Sequence, residues 1–279
     1  MADPSGEPDH TSGTELAPAA APEELRRHLP GLEPERQVTD WGRSERVESL
    51  VDRTLYQFLY HYWFRVEVEG VDNVPGGGGA LLVANHAGAV PPDAAMIAKA
   101  IQEEHPRPRA LSFVTQPRLR DIPGVGMLVT KVGGVSNHPA NLHRLLYDEA
   151  QLVLAFPEGS RGASKPLSER YRLRTFEDIA PIRTAINAGV PIVPIAIVGA
   201  EEAVPVLARV PSVVRRLRLP LTPVLPLPAK IKVRFLEPVH AHTPPATEAQ
   251  IQALAHDIRA LIQENLLEMV AGRRSAWLG

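Results

Sequence analysis

His86 leaves the apolar run Ala80-Leu81-Leu82-Val83-Ala84 beside Asn85, and Asp93 follows after the small residues and prolines of 87–92. Imidazole is the side chain whose ordinary pKa lies nearest neutral pH, so it can take a proton from a hydroxyl and pass it on. A carboxylate on its other ring nitrogen would set the tautomer and stabilise imidazolium as it forms. A second run, Leu152-Val153-Leu154-Ala155-Phe156, ends in Pro157-Glu158-Gly159-Ser160-Arg161-Gly162. Arg161 can grip a phosphate or carboxylate with paired donors. Glu158 can accept from a hydroxyl or hold Arg161, and the glycines permit close backbone approach. Each motif alone also has a plain structural reading: a ring closing a strand, an Asp capping a helix, an Arg–Glu pair in a turn.

Such residues need a rigid frame. Ser44–Phe64 reads as a helix, with Ser44 as cap and Val47, Leu50, Val51, Leu55, Phe58 and Leu59 at helical spacing. Its end gathers Tyr56, Phe58, Tyr60, Tyr62, Trp63 and Phe64, which suit either a membrane–water boundary or a face packed on the domain. Strands are predicted over Phe64–Val68, Ala80–Ala84, Arg109–Val114, Leu152–Phe156, Ile192–Val198 and Lys230–Phe235. Helices are predicted over Asp93–Ile101, Ala140–Ala150, Phe176–Ala188 and Thr247–Val270. The alternation predicts an α/β fold: a mixed, largely parallel central sheet flanked by helices, with an N-terminal amphipathic helix. Residues 1–40, rich in Pro, Glu, Ser, Thr and Ala, are expected to form a disordered tail; 41–64 the aromatic-rich helix; and 65–279 the folded domain.

Composition narrows the classes. Thirty basic residues against 32 acidic give a net charge of −2, which makes no global case for nucleic acid. With no cysteine, disulfides, thiolate metal sites and a Cys nucleophile are excluded. No apolar run reaches the roughly 18–20 residues of a spanning helix, and the first residues do not read as a signal peptide, so membrane contact is expected to be peripheral or monotopic. His138 and His143 lie five apart with no further ligand nearby, so no metal is expected. Gly76–Gly79 lacks the Lys-Ser/Thr of a phosphate loop and reads as a turn. Lys165, Arg170, Arg172 and Arg174 form either a phosphate path or a solvated basic loop. The cations of 209–218, with the Leu/Pro stretch of 219–228, suit either anionic headgroups or an irregular cover of the sheet edge.

Taken together, the two motifs resemble the glycerolipid acyltransferase family, whose best-known members are the lysophosphatidic acid acyltransferases. That family carries an Asn-His…Asp block, a Phe-Pro-Glu-Gly-(Ser/Thr)-Arg block and an apolar Val-Pro block, here Val190-Pro191-Ile192-Val193-Pro194-Ile195. The resemblance covers roughly residues 65–240 and implies a fold and an activity. His86 would be the general base and Asp93 its orienting partner. Glu158, Gly159, Ser160 and Arg161 would belong to the acceptor site. Acyl-CoA or acyl carried on acyl carrier protein would be the co-substrate, with no cofactor and no covalent intermediate. A lysophospholipid such as 1-acylglycerol-3-phosphate would be the acceptor, at the cytoplasmic face of a membrane.

Two departures stand out. Six residues separate His86 from Asp93, where the family usually has four. The middle block offers Lys131-Val132-Gly133-Gly134 in place of an Arg near a Gly, leaving Lys131, or Arg144 from the next helix, as the phosphate contact. Fewer cations keep a neutral acceptor such as a diacylglycerol open. A catalytically silent lipid-binding protein of the same fold and a hydrolase using water are the other readings; no Gly-x-Ser-x-Gly elbow points to a serine hydrolase.

Overall fold

The structure is a computed structural model that describes residues 38–87, 92–115, 124–163, 165–206, 208–211, 218–221, 223, 225–240 and 246–277. The tail expected over 1–40 lies, up to residue 37, outside the described residues. From 45 to 63 the chain is one helical run, α1, regular over Glu45–Val51 and widened into π-turns over Asp52–Tyr56 and Leu59–Trp63. Ser44 caps it, its hydroxyl accepting from the Val47 N–H at 3.5 Å.

The central sheet has seven strands among the described residues: β1 (Glu67–Glu69), β2 (Ala80–Ala84), β3 (Leu111–Thr115), β4 (Gly134–Ser136), β5 (Leu152–Ala155), β6 (Ile192–Val198) and, after the hairpin described below, β9 (Lys232–Phe235). Their order in the sheet is β1-β9-β6-β2-β5-β3-β4. β2 lies parallel to β5 on one side, Ala80 opposite Leu152, and to β6 on the other, Leu81 opposite Ile192. Within this sheet, among the described residues, only the β6–β9 pairing is antiparallel. The sheet is therefore mixed and largely parallel, as expected.

β2, β5 and β6 are buried along their whole length because helices cover both faces. On one face Leu82, Leu154, Val193 and Ile195 pack with Met96, Ile97 and Ile101 of helix α2 (Asp93–Glu104) and with Tyr60 and Phe64. On the other, Leu81, Val153 and Val198 pack with two helices, α6 (Ala180–Asn187) and α8 (Glu248–Ala271), through Ile182, Ile186, Ile258, Ile262 and Leu266. α8 begins at a capping box in which Thr247 and Gln250 satisfy each other's backbone N–H groups.

Several elements went unread in the sequence: the helix α3 (Val125–Lys131), the short helices α5 (Gly159–Ala163) and α7 (Ala200–Ala203), and strand β4. The predicted helix over Ala140–Ala150 is α4, Pro139–His143 widening into a π-turn over Arg144–Asp148. The helix expected from Phe176 starts only at Ala180. Pro181 occupies its first turn, Asp178 caps the Ala180 N–H at 3.0 Å, and the Glu177 N–H turns away to the Pro157 carbonyl at 2.8 Å. The stretch read as irregular after residue 208 contains an antiparallel hairpin, β7 (Ala208–Pro211) with β8 (Arg218–Leu221).

The chain runs outward from β2 to β3 and β4, returns to β5, then crosses to β6. That reversal sets the carboxyl ends of β2 and β5 side by side, where open parallel sheets bind ligands.

Candidate active site

Asn85 is fully buried at the exit of β2, and its side chain acts as one more strand residue. Its Nδ2 donates to the Ile197 carbonyl at 2.9 Å, and its Oδ1 accepts from the Ile197 N–H at 2.8 Å. The next residue is thereby delivered at a fixed point at the carboxyl end of the strand. The His86 side chain keeps 15% of its exposure, and its Nδ1 meets Asp93 Oδ2 at 3.1 Å. Asp93 is the first residue of α2 and is wholly buried. Its Oδ2 also accepts from the Ala87 N–H at 3.0 Å, and its Oδ1 from the Ala94 N–H at 2.9 Å. Three donors and a helix N-terminus hold it as an acceptor. The longer spacing therefore does not separate the pair: the loop returns Asp93 to the ring. Among the described residues nothing hydrogen-bonds His86 Nε2. Phe156 stacks on the ring, centroids 4.4 Å apart and 26° between planes.

The β5 turn meets this group through Glu158. Its carboxylate has no exposure. It accepts from the His86 N–H at 3.3 Å and the Arg174 N–H at 2.8 Å, and pairs with Lys165 Nζ at 3.3 Å. It does not hold Arg161, which extends outward, 69% exposed, and pairs with Glu177. Gly159 takes φ +58°, the left-handed region a side chain resists, and a Cβ on Gly162 would stand 2.6 Å from Glu158 Cβ. Both glycines let the turn fold tightly over Glu158. Ser160 is exposed on α5.

The two candidate phosphate contacts fall in different places. Lys131 ends α3, half-buried, with no ion pair to its side chain among the described residues; its carbonyl accepts from the Ser44 N–H. Lys165 is corrected: its side chain is 2% exposed and its ammonium is taken up by Glu158 and by Glu201 at 2.9 Å, so it faces the interior rather than an open path. Of the other cations after the turn, Arg170 pairs with Glu202 and Arg174 with Glu169, which favours the reading as a solvated basic loop. Arg144 pairs with Asp40 and Glu149 and lies over Trp41, so it does not substitute for a site arginine.

Behind Glu158 lies a polar cluster that sequence reasoning missed. Glu201 Oε2 accepts from the Tyr171 N–H at 3.0 Å, and the Tyr171 hydroxyl donates to Glu202 while accepting from the Gly199 N–H at 2.9 Å. Arg273, near the chain's end, reaches Glu202 at 3.2 Å. Burial pushes the Glu201 carboxyl up to about 7, with Lys165 pulling against it and Glu158 adding to the rise; burial likewise raises Glu202. Two adjacent acids directly after the buried strand β6 were the available signal.

A largely parallel sheet with a His–Asp pair at the carboxyl end of a central strand and a Glu–Gly–Ser–Arg turn beside it is the frame of an O-acyltransferase. The chain belongs to the Acyltransferase family, whose model matches residues 65–198. That segment holds both motifs and ends before Glu201. Relatives include uncharacterized proteins of Mycobacterium tuberculosis and Mycobacterium bovis, each 35% identical and covering 96% of this chain and 80% of the relative. One from Mycobacterium leprae is 35% identical over 91% of this chain and 73% of its own length. Among solved structures, the 1-acyl-sn-glycerophosphate (LPA) acyltransferase PlsC of Thermotoga maritima matches with a TM-score of 0.53. It is 21% identical and covers 83% of this chain and 80% of that one, a likeness of fold.

Proposed function

We propose that the protein transfers a fatty-acyl group from an acyl thioester, acyl-CoA or acyl carried on acyl carrier protein, to the hydroxyl of a glycerolipid acceptor, a lysophospholipid such as 1-acylglycerol-3-phosphate. The observation that carries this reading is the ring of His86, tied at Nδ1 to a buried carboxylate and unpartnered at Nε2 among the described residues. With Nδ1–H donated to Asp93, the Nε2 lone pair is free to take the proton of an acceptor hydroxyl. The hydroxyl oxygen then attacks the thioester carbon, and the tetrahedral intermediate collapses with loss of a thiolate. The imidazolium returns its proton to that thiolate, and an ester and a free thiol leave. Asp93 stabilises imidazolium across this cycle, and the stacked Phe156 presents an electron-rich face to it.

Arg161 is the exposed cation at the mouth of the β5 turn and the candidate contact for an acceptor phosphate, with Glu177 as its resting partner. The withdrawal of Lys165 into the interior favours a second reading, a neutral lipid alcohol as acceptor, because it leaves fewer cations beside the ring. Labelled acyl-CoA offered with lysophosphatidate and with diacylglycerol separates the two. His86→Ala is expected to abolish acyl transfer to either acceptor while the protein stays folded. Wild-type turnover in that variant would remove His86 as the base. The enzyme is proposed to work as a peripheral protein on a membrane surface, supported by the exposed Leu50, Leu55, Phe58 and Tyr62 of α1.

A further inference from the structure

Glu158 accepts from the backbone N–H of His86, yet it is sealed from solvent. A buried carboxylate keeps its charge only with a partner and several donors. Its cationic partner among the described residues is Lys165, itself buried, and Lys165 is shared with Glu201. One ammonium thus serves two sealed carboxylates. Glu201 has a second task. Through its other oxygen it takes the backbone N–H of Tyr171, a residue held at φ +62° in the left-handed region. It therefore anchors both Lys165 and Tyr171, in the stretch that leads to Arg174. The Arg174 N–H is the strongest backbone contact to Glu158, at 2.8 Å.

The order of contacts runs in one direction. α7, after β6, carries Glu201; Glu201 holds Lys165 and Tyr171; these place the ammonium and the Arg174 N–H on Glu158; Glu158 takes the N–H of His86. We propose that Lys165 and Glu201 are positioning residues for acyl transfer: they hold the Glu158 carboxylate on the His86 backbone and so fix the imidazole at the strand exit. The inference rests on His86 being the general base. It extends the site to Glu201, beyond the segment that defines the family match.

Glu201→Gln tests it sharply. A glutamine offers one acceptor oxygen and one donor nitrogen, so either the ammonium or the Tyr171 N–H loses its acceptor. Lys165→Met removes the shared charge with little change in length. In the full-length protein, with oleoyl-CoA and 1-oleoylglycerol 3-phosphate in mixed micelles, both variants are expected to lower kcat by about ten- to a hundred-fold, the scale of a misplacement near 1 Å. KM for oleoyl-CoA should stay unchanged, because both side chains are buried. Glu201→Asp, which keeps the carboxylate, should recover part of kcat.

A purely structural role would lower stability and leave the reaction alone, so two further measurements separate the cases. Ile258→Val, a change in the buried face of α8, removes core packing but none of the cluster's hydrogen bonds or ion pairs, and should leave kcat as in the wild type. Backbone amide resonances of His86 and Arg174, the two donors to Glu158, should shift together in Glu201→Gln and Lys165→Met and stay in place in Ile258→Val. That readout requires no substrate. Folded Glu201→Gln protein with wild-type kcat and unmoved His86 and Arg174 amides would overturn the proposal. Turnover surviving in His86→Ala would instead overturn the general-base reading on which it rests.

Discussion

At the scale of single residues, the weight falls on Asp93. Its two oxygens take three donors: the His86 ring and the Ala87 N–H at Oδ2, the Ala94 N–H at Oδ1. Asp93→Asn keeps the shape and replaces one acceptor oxygen with an NH2. If that NH2 faces the ring, Nδ1 must become the acceptor, and the proton moves to Nε2, the nitrogen the proposed reaction needs bare. The expected result is a fold that survives, a ring tautomer that inverts in nitrogen chemical shift, and kcat lower by about 10³–10⁴, the loss known for a misoriented imidazole. Turnover within about ten-fold of the wild type (about 1.4 kcal/mol) would mean that Asp93 caps α2 and does little else. Glu158 shows the limit of reading residues singly: the sequence placed it beside an acceptor hydroxyl or Arg161, and its contacts are the His86 backbone, the Arg174 backbone and Lys165.

At the scale of elements, α1 divides its aromatic cluster between two environments. Tyr60 and Phe64 are buried in the core and Trp63 donates to the Pro226 carbonyl at 3.0 Å, while Phe58 is 49% and Tyr62 72% exposed. Leu55, Phe58 and Tyr62 recur at i, i+3 and i+7, with Leu50 five residues earlier and the exposed Arg46 and Arg53 on the same helix. The packed face and the boundary face thus coexist on one helix. The exposed half suits shallow insertion among anionic headgroups. Replacing Leu50, Leu55 and Phe58 with Ser should reduce co-sedimentation with phosphatidylglycerol-containing liposomes by more than about ten-fold, since each buried Leu or Phe contributes roughly 1.5–3 kcal/mol. Unchanged co-sedimentation would assign that face to something other than a membrane.

The same scale shows what the sequence carries. The bounds of β2 and β6 could be read directly, because five- and seven-residue apolar runs between turn residues have few alternatives. The His86–Asp93 pair was legible as residue types, and its closure across six residues needed coordinates. β4 was not legible: the three residues Gly134–Ser136, directly after Gly133, carry no alternation, and pairing with β3 alone makes them a strand. The Lys165–Glu201 pair spans 36 positions, and no local pattern links the two.

At the scale of the whole molecule, the buried acids of α7 set a pH dependence of stability. Unfolded, Glu201 titrates near 4.5; folded, it is pushed up to about 7, chiefly by burial. Between those values the folded protein holds a proton that the unfolded chain has released, so stability is full at the acid end and falls as pH rises through the folded value. Glu202, raised by the same cause, acts in the same direction. Glu67 and Glu103 oppose it: lysine partners lower both carboxyls, so their contribution is present above about 4.5 and is lost only as pH falls further. These two carboxylates are therefore already ionised in either state across the neutral window, and the α7 acids set the slope there. Comparison with Glu201→Gln cancels every other group that changes charge in that window. Urea midpoints measured between about pH 5 and pH 8 should decline with pH more steeply in the wild type than in Glu201→Gln. Equal slopes in the two proteins would show that Glu201 is ionised throughout, its charge fully met by Lys165.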